Sequence, residues 1–261
     1  MAPFFAILTA SYNSASTIRK TLQSLKEQEF KDFEHIVIDG GSQDGTVEIL
    51  REFEHRYNLQ WISEPDRGIA DALNKGLRRS KGRYILVVQA DDYLTDPFVL
   101  QKSYAVLKDE SFDIHAFPVI LDHPGKGRIL LKPRPIPWWN HFKTILQHQG
   151  TFVHRRVFDR IGEFRDEFSI ALDYDFFYRA LKFGCSVKFE AEPSIAVMGG
   201  KGVSSDRALL FKRLKEEALV QDLNETDLLW RCLQYIFRVF YFPYKVRVLS
   251  TLKHLLSQAN E

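Results

Sequence analysis

Residues 4–46, FFAILTASYNSASTIRKTLQSLKEQEFKDFEHIVIDGGSQDGT, decide the fold class. The apolar run at 4–10 predicts a strand, and Ile18, Leu22 and Leu25 then recur at helical spacing. Ser14 and Ser16 stand where a helix cap would. A second strand is predicted at 35–38, and beyond the glycine-bearing turn a short helix carries Val47 and Leu50. The rhythm continues outward with a short strand around Trp61 and a helix over 69–80, in which Ala72, Leu73 and Leu77 face inward. Lys81 and Gly82 end that helix, and YILVVQA from Tyr84 reads as a buried strand. Strands alternating with helices make βαβ units, so the expected fold is α/β with a mostly parallel, Rossmann-like sheet flanked by helices.

Beyond Asp92 the pattern loosens. A helix is predicted at 96–107, a strand at 113–119, and a loop rich in Pro and Gly at 122–137. Helices follow near 174–183 and 206–224, separated by the strand-like SVKFE and SIAVM, and 228–256 reads as two helices bent at Pro243. The expected organisation is a catalytic domain at 1–205, split near 110, with a helical C-terminal extension at 206–261. The 261 residues are 45% apolar and 27% charged, enough for one sizeable core and too ordered a mixture for disorder or collagen. Thirty-six Lys and Arg against thirty-four Asp and Glu give a formal charge of +2, which excludes a broad nucleic-acid surface. Two cysteines, Cys185 and Cys232, build neither a disulfide framework nor a zinc site, so a reducing, cytoplasmic location is expected. The N-terminal apolar run lacks the flanks of a signal peptide, and no run of apolar residues is long enough to span a bilayer.

Ligands of an open parallel sheet lie at the carboxyl ends of its strands. Here those ends are polar and mostly acidic: Thr9, Ala10 and Ser11, then Asp39, then Ser63, Glu64 and Asp66, then Ala90, Asp91 and Asp92. Gathered carboxylates repel unless a cation sits among them, and a hard divalent ion with oxygen ligands, Mg²⁺ or Mn²⁺, suits both the carboxylates and a diphosphate. The Asp91–Asp92 pair also admits a plainer role as a turn and helix cap before Asp96 and Pro97. DGGSQDGT at 39–46 lacks the Lys of a P-loop and the GxGxxG spacing, so its glycines read as turn residues, with Asp44 or Thr46 as a helix cap.

Four ordered motifs carry a resemblance. They are TASYNSASTIRKTLQSLKEQ from Thr9, IVIDGGSQDGT from Ile36, SEPDRGIADALNKGL from Ser63 and the Ala90, Asp91, Asp92 triplet; HQGTFVHRRVFDRIGEF from His148, ALDYDFFYRAL from Ala171 and GGKGVS from Gly199 add a sparser continuation. Together they resemble the family 2 glycosyltransferases, which carry the GT-A fold, and among them the members that build bacterial surface polysaccharides.

The resemblance implies an inverting transfer from a nucleotide diphosphate sugar. Thr9, Ala10, Ser11 and Tyr12 would line the nucleotide pocket, Asp39 would accept a hydrogen bond from the base, and Asp66 and Arg67 would reach the nucleotide. Ala90, Asp91 and Asp92 occupy the place of the DXD motif, with Asp92 as the metal ligand and Asp91 as a ribose or metal contact. Asp173 matches the catalytic base, with Asp175 as the alternative; Leu172 stands where many members have Glu. Taken without the family, Asp173 reads first as an N-cap whose side chain accepts backbone N–H bonds. Lys201 and Ser204 would hold the diphosphate, and His148 with Gln149 would contact metal, donor or acceptor.

From 228 to 260 no Asp or Glu occurs, while Arg231, Arg238, Lys245, Arg247 and Lys253 alternate with Trp230, Tyr235, Phe237, Phe240, Tyr241, Phe242 and Tyr244. Such a mixture suits the inner face of a membrane and a lipid-linked acceptor, or burial against the catalytic domain or the second copy in a homodimer; Trp138 and Trp139 suit either surface. Two other functions share the sheet. A sugar nucleotidyltransferase would open with a glycine-rich basic loop, which TASYNSAST is not, and a non-catalytic binding subunit would have no need of Asp39, Asp92 and Asp173 together.

Overall fold

The computed structural model describes residues 2–123, 125–199 and 207–258. The chain opens with β1 (Phe5–Ser11), α1 (Ile18–Lys26), β2 (Phe33–Asp39), α2 (Thr46–Phe53), β3 (Leu59–Ser63), α3 (Ile69–Arg79) and β4 (Tyr84–Val87). β1 pairs in parallel with β2 on one side and β4 on the other, and β2 pairs in parallel with β3. The chain therefore steps outward from β1 to β3 and returns on β1's opposite flank. That reversal opens a crevice beyond the carboxyl ends of β1 and β4.

β1 holds the centre because its apolar residues serve two cores. Ala6 and Leu8 pack with Ile36, Ile38, Leu73 and Leu77, whereas Phe5 and Ile7 pack with Leu25, Phe33, Tyr84 and Leu86. A strand buried on both faces reads as a continuous apolar run, and each large side chain so buried stabilises by about 1.5–3 kcal/mol. Gly82 lets β4 start hard against β1, since a Cβ there would lie 2.4 Å from the Ala6 nitrogen.

After β5 (Tyr93–Leu94) and α4 (Val99–Leu107), β6 (Ile114–Ala116) joins the main sheet, while β7 (Val119–His123) and β8 (Gly127–Leu131) form an antiparallel hairpin. The predicted single strand at 113–119 is thus broken, at Pro118, into strands of two different sheets. The predicted loop at 122–137 is corrected too: its first half is the hairpin, whose alternation was masked by Gly125 and Gly127, both at positive φ. β9 (Thr151–His154) enters the main sheet antiparallel between β4 and β6 and leads into α5 (Arg155–Ile161). α6 (Leu172–Lys182), β10 (Val187–Phe189), β11 (Ala196–Met198), α7 (Leu210–Asn224) and α8 (Leu228–Gln258) complete the chain. The sheets run β10-β6-β9-β4-β1-β2-β3 and β5-β11-β7-β8.

Two local expectations fail. Neither Ser14 nor Ser16 caps α1; Thr17 is the N-cap residue, and the Ser14 carbonyl accepts the Thr17 and Ile18 N–H groups. The C-terminal segment is one helix with Pro243 inside it. Proline in a helix interior costs about 3 kcal/mol. Tertiary contacts ahead of it oppose that cost: Trp230 stacks on His141 at 3.9 Å, and Phe237 packs against Trp139 and Phe142.

Candidate active site

At the crevice lies a cavity of about 760 Å³, walled by Ala10, Ser11 and Tyr12 after β1, Asp66 after β3, Asp91 and Asp92 after β4, His148, Gln149 and Asp173. That volume is in the range of small-ligand sites. Gly40 sits directly behind Asp66 and Tyr12, where a Cβ would meet the Asp66 carboxylate at 2.7 Å and the Tyr12 ring at 3.2 Å.

The Asp91–Asp92 turn is fixed from below. The Asp92 N–H donates to the Gln89 carbonyl, and Thr21 of α1 reaches the Ala90 and Asp92 carbonyls at 3.1 and 2.6 Å. Asp92 is almost fully buried and its carboxylate accepts the Gly199 N–H at 3.0 Å, whereas Asp91 is half-buried and the more open of the two. Burial raises the Asp92 pKa to about 6, with the charge of Asp91 adding and His148, Gly199 and Gln149 opposing. Burial likewise raises Asp91. Both carboxylates lie where a cation would restore their charged form.

Asp173 stands in the first turn of α6, pointed into the cavity, and is not its N-cap; that position is Ala171. One carboxylate oxygen accepts the Tyr174 N–H at 2.7 Å and the other lies 3.3 Å from His148 Nδ1. Burial alone would lower the His148 pKa, but the bond to Asp173 and the charges of Asp173, Asp92 and Asp91 outweigh it and raise it. His148 Nε2 is buried with no hydrogen-bond partner among the described residues. Its turn is pressed into place at Gly150, where a Cβ would lie 2.5 Å from the Phe117 carbonyl oxygen. The approach to α6 is clamped by Glu216 of α7, whose carboxylate accepts the N–H groups of Ser169, Ile170 and Ala171. Asp175 is not a second candidate base: it is fully buried, ion-paired with Arg165 and Arg179, and absent from the cavity wall.

Three other expected site residues also lie off the wall. Thr9 is buried, donating to the Val88 carbonyl at 2.6 Å and contacting His35. Asp39 is fully buried and accepts bonds from the Ser42 N–H and from the Ser42 and Ser63 hydroxyls. Arg67 projects outward to pair with Asp71 and Asp166. Lys201 and Ser204 lie outside the described residues. The DGGSQDGT loop braces its neighbour after β1, with Asp44 accepting from Ala15 and Thr46 accepting from Ser14. Gly45, at φ 97°, takes the N-cap position of α2 that the sequence offered to Asp44 or Thr46, and the Asp44 carboxylate accepts the Thr46 N–H.

Sequence reasoning missed a whole wall: Lys143, Arg213, Glu217, Tyr241 and Lys245 also face the cavity. The basic, aromatic and acid-free tail signalled Tyr241 and Lys245 alone; nothing in the sequence marked Lys143, Arg213 and Glu217. Among the described residues no three His, Cys, Asp or Glu side chains converge as a complete metal site. Asp91 and Asp92 fit a hard divalent ion that takes its remaining oxygens from a bound phosphate and water.

Residues 6–164 match the family described as Glycosyl transferase family 2. The chain is 30% identical over 189 residues to an uncharacterized glycosyltransferase of Mycobacterium tuberculosis strain CDC 1551 / Oshkosh, covering 69% of each. It superposes with a TM-score of 0.72 on S. aureus TarS 1-349 in complex with UDP-GlcNAc, at 18% identity over 93% of this chain and 73% of that one. With mannosyltransferase PcManGT from Pyrobaculum calidifontis, in complex with GDP-Man and Mn²⁺, the TM-score is 0.68 at 18% identity, over 97% and 76%. These neighbours share the GT-A fold, and the family match runs from β1 past α5, spanning the strand ends that carry the carboxylates. The chain is a glycosyltransferase and belongs to glycosyl transferase family 2.

Proposed function

We propose that the protein moves a sugar, with inversion and in dependence on Mn²⁺ or Mg²⁺, from a nucleotide diphosphate sugar to a hydroxyl of a glycan or lipid-linked acceptor in surface polysaccharide synthesis. The observation that carries this reading is the pairing, in one cavity, of an available carboxylate at a helix start, Asp173, with a carboxylate turn at the end of β4. Complexes of structural neighbours with UDP-GlcNAc and with GDP-Man and Mn²⁺ support the donor class.

In this reading Ala10, Ser11, Tyr12 and Asp66 receive the nucleotide at the β1–β3 side, while Thr9 and Asp39 hold the loops beneath it. Arg67 steadies the loop after β3 through its ion pairs, and Lys201 and Ser204 are proposed as diphosphate contacts. Asp91 and Asp92 would hold the divalent ion, which when bound offsets the charge left on the departing diphosphate. Asp173 takes the proton of the acceptor hydroxyl as it attacks the anomeric carbon from the face opposite the leaving group. His148, hydrogen-bonded to Asp173, keeps that carboxylate turned towards the cavity. A panel of UDP, GDP, CDP and dTDP sugars, each with and without Mn²⁺, tests the donor site by thermal shift. One nucleotide is expected to raise the melting temperature, with metal and not in Asp92→Asn; no shift with any donor overturns the reading.

The exposed face of α8 supports an acceptor held at a lipid surface. Leu229, Leu233, Ile236, Phe240 and Tyr244 form one helical stripe, 38–74% exposed, on a helix free of acidic residues. No helix among the described residues is long and apolar enough to cross a membrane. The protein is expected to float with anionic vesicles, and Phe240→Glu to abolish flotation. A chain that stays unbound, or that forms a dimer which Phe240→Glu splits, overturns the lipid contact.

A further inference from the structure

The cavity is unevenly charged. Asp66, Asp91, Asp92 and Asp173 gather around the strand ends and the start of α6, whereas the wall built by Lys143, α7 and α8 presents Lys143, Arg213 and Lys245 with one carboxylate, Glu217. Lys143 donates to Glu217. The Lys143 and Lys245 ammonium groups lie 4.8 and 5.5 Å from the centre of the same Tyr241 ring, so both cations gather at one ring. Burial pushes the Lys143 pKa down; Glu217 opposes this, and Arg213 and Lys245 add to it. An anion bound among these groups would relieve the repulsion, and in a partly desolvated wall a phosphate is held by charge-assisted hydrogen bonds.

The position of the wall says which substrate it meets. α7 packs on α6, the helix that opens with Asp173, and α8 packs on α7. A base must touch the acceptor, so cations gathered on the Asp173 side are placed for the acceptor, while the β1–β3 side receives the nucleotide. Tyr241 and Lys245, one helical turn apart, face the cavity; Phe240 and Tyr244, the residues just before them, are 74% and 60% exposed on the outer face. One helix thus offers a cation and a ring inward and further aromatic rings outward.

We propose that Lys143, Arg213 and Lys245 form a subsite for a phosphate or diphosphate carried by the acceptor. The subsite rests on the glycosyltransferase reading, whose own test is the donor panel. With the donor site saturated by the nucleoside diphosphate and Mn²⁺, the full chain is titrated calorimetrically with citronellyl phosphate, inorganic phosphate and citronellol. Citronellyl phosphate is expected to bind at least about tenfold more tightly than citronellol, and Lys245→Gln to weaken it about tenfold while Lys245→Arg retains it. Lys26→Gln, on α1 away from the cavity, is expected to change nothing. Tighter binding of citronellyl phosphate than of inorganic phosphate supports a lipid-borne group, and equal binding of the two supports a soluble phosphorylated acceptor. Equal binding of citronellyl phosphate and citronellol, wild-type affinity in Lys245→Gln, or loss of phosphate binding whenever the nucleoside diphosphate is present overturns the subsite. A failed donor panel with intact phosphate binding sinks the proposed donor and metal reading alone.

Discussion

Asp173→Asn is expected to slow sugar transfer by about a thousandfold while shifting the melting temperature by less than about 2 °C. General-base catalysis contributes roughly 10²–10⁴ in rate, and an amide of the same shape cannot take the acceptor proton. The fold has little reason to notice: Asp173 sits on the cavity wall, and an asparagine oxygen still accepts the Tyr174 N–H. The loop leading to α6 is held separately by Glu216, so the variant side chain should remain aimed into the cavity. The donor KM should barely move, because the proposed nucleotide contacts come from β1 and β3. Release of nucleoside diphosphate, followed with and without acceptor, checks this, and transfer within tenfold of wild type would remove Asp173 from the mechanism.

What was legible in the sequence is what local patterning controls. The strand ends at Ser11, Asp66, Asp91 and Asp92 could be found because each follows an apolar run that had to be buried, and the reversal between β1 and β4 then gathers them at one crevice. The hairpin of β7 and β8 was hidden because its turn glycines outweighed a short alternation. Thr9 and Asp39 lie one strand position or one turn from the cavity and are spent on internal bonds, a distinction of side-chain direction that spacing alone does not carry. The cationic wall was out of reach for a different reason. Lys143, Arg213 and Lys245 are 32 to 102 positions apart, and only the packing of α7 and α8 on α6 brings them to one surface. Glu216 is similar: a mid-helix glutamate in the sequence, it becomes the clamp that sets the start of α6.

Asp175→Ala is the counterpart of Asp173→Asn, with the effects exchanged. Residues two apart on a helix point to nearly opposite sides, so while Asp173 faces the cavity Asp175 faces the interior, where it is fully buried. There its oxygens meet Arg165 at 3.1 Å, Arg179 at 2.9 Å and Asn224 at 2.9 Å. Arg179 also donates to the Ile161 and Glu163 carbonyls and so ties the end of α5 to α6. Truncating Asp175 leaves the largely buried Arg179 without its carboxylate, and breaking a buried pair from one side costs about 3–5 kcal/mol. At roughly 2–4 °C per kcal/mol for a domain of this size, the melting temperature is expected to fall by about 6 °C or more. Protein that remains folded at low temperature keeps its Asp173 and should turn over at a rate within a few-fold of wild type. Asp175→Asn, which preserves the bonds to Asn224 and one arginine while removing the charge, should fall between the two. Calorimetry together with rates measured well below the transition separates the roles: a variant that melts normally yet loses transfer would make Asp175 the base after all, and one that melts early yet turns over confirms it as the strut beneath Asp173.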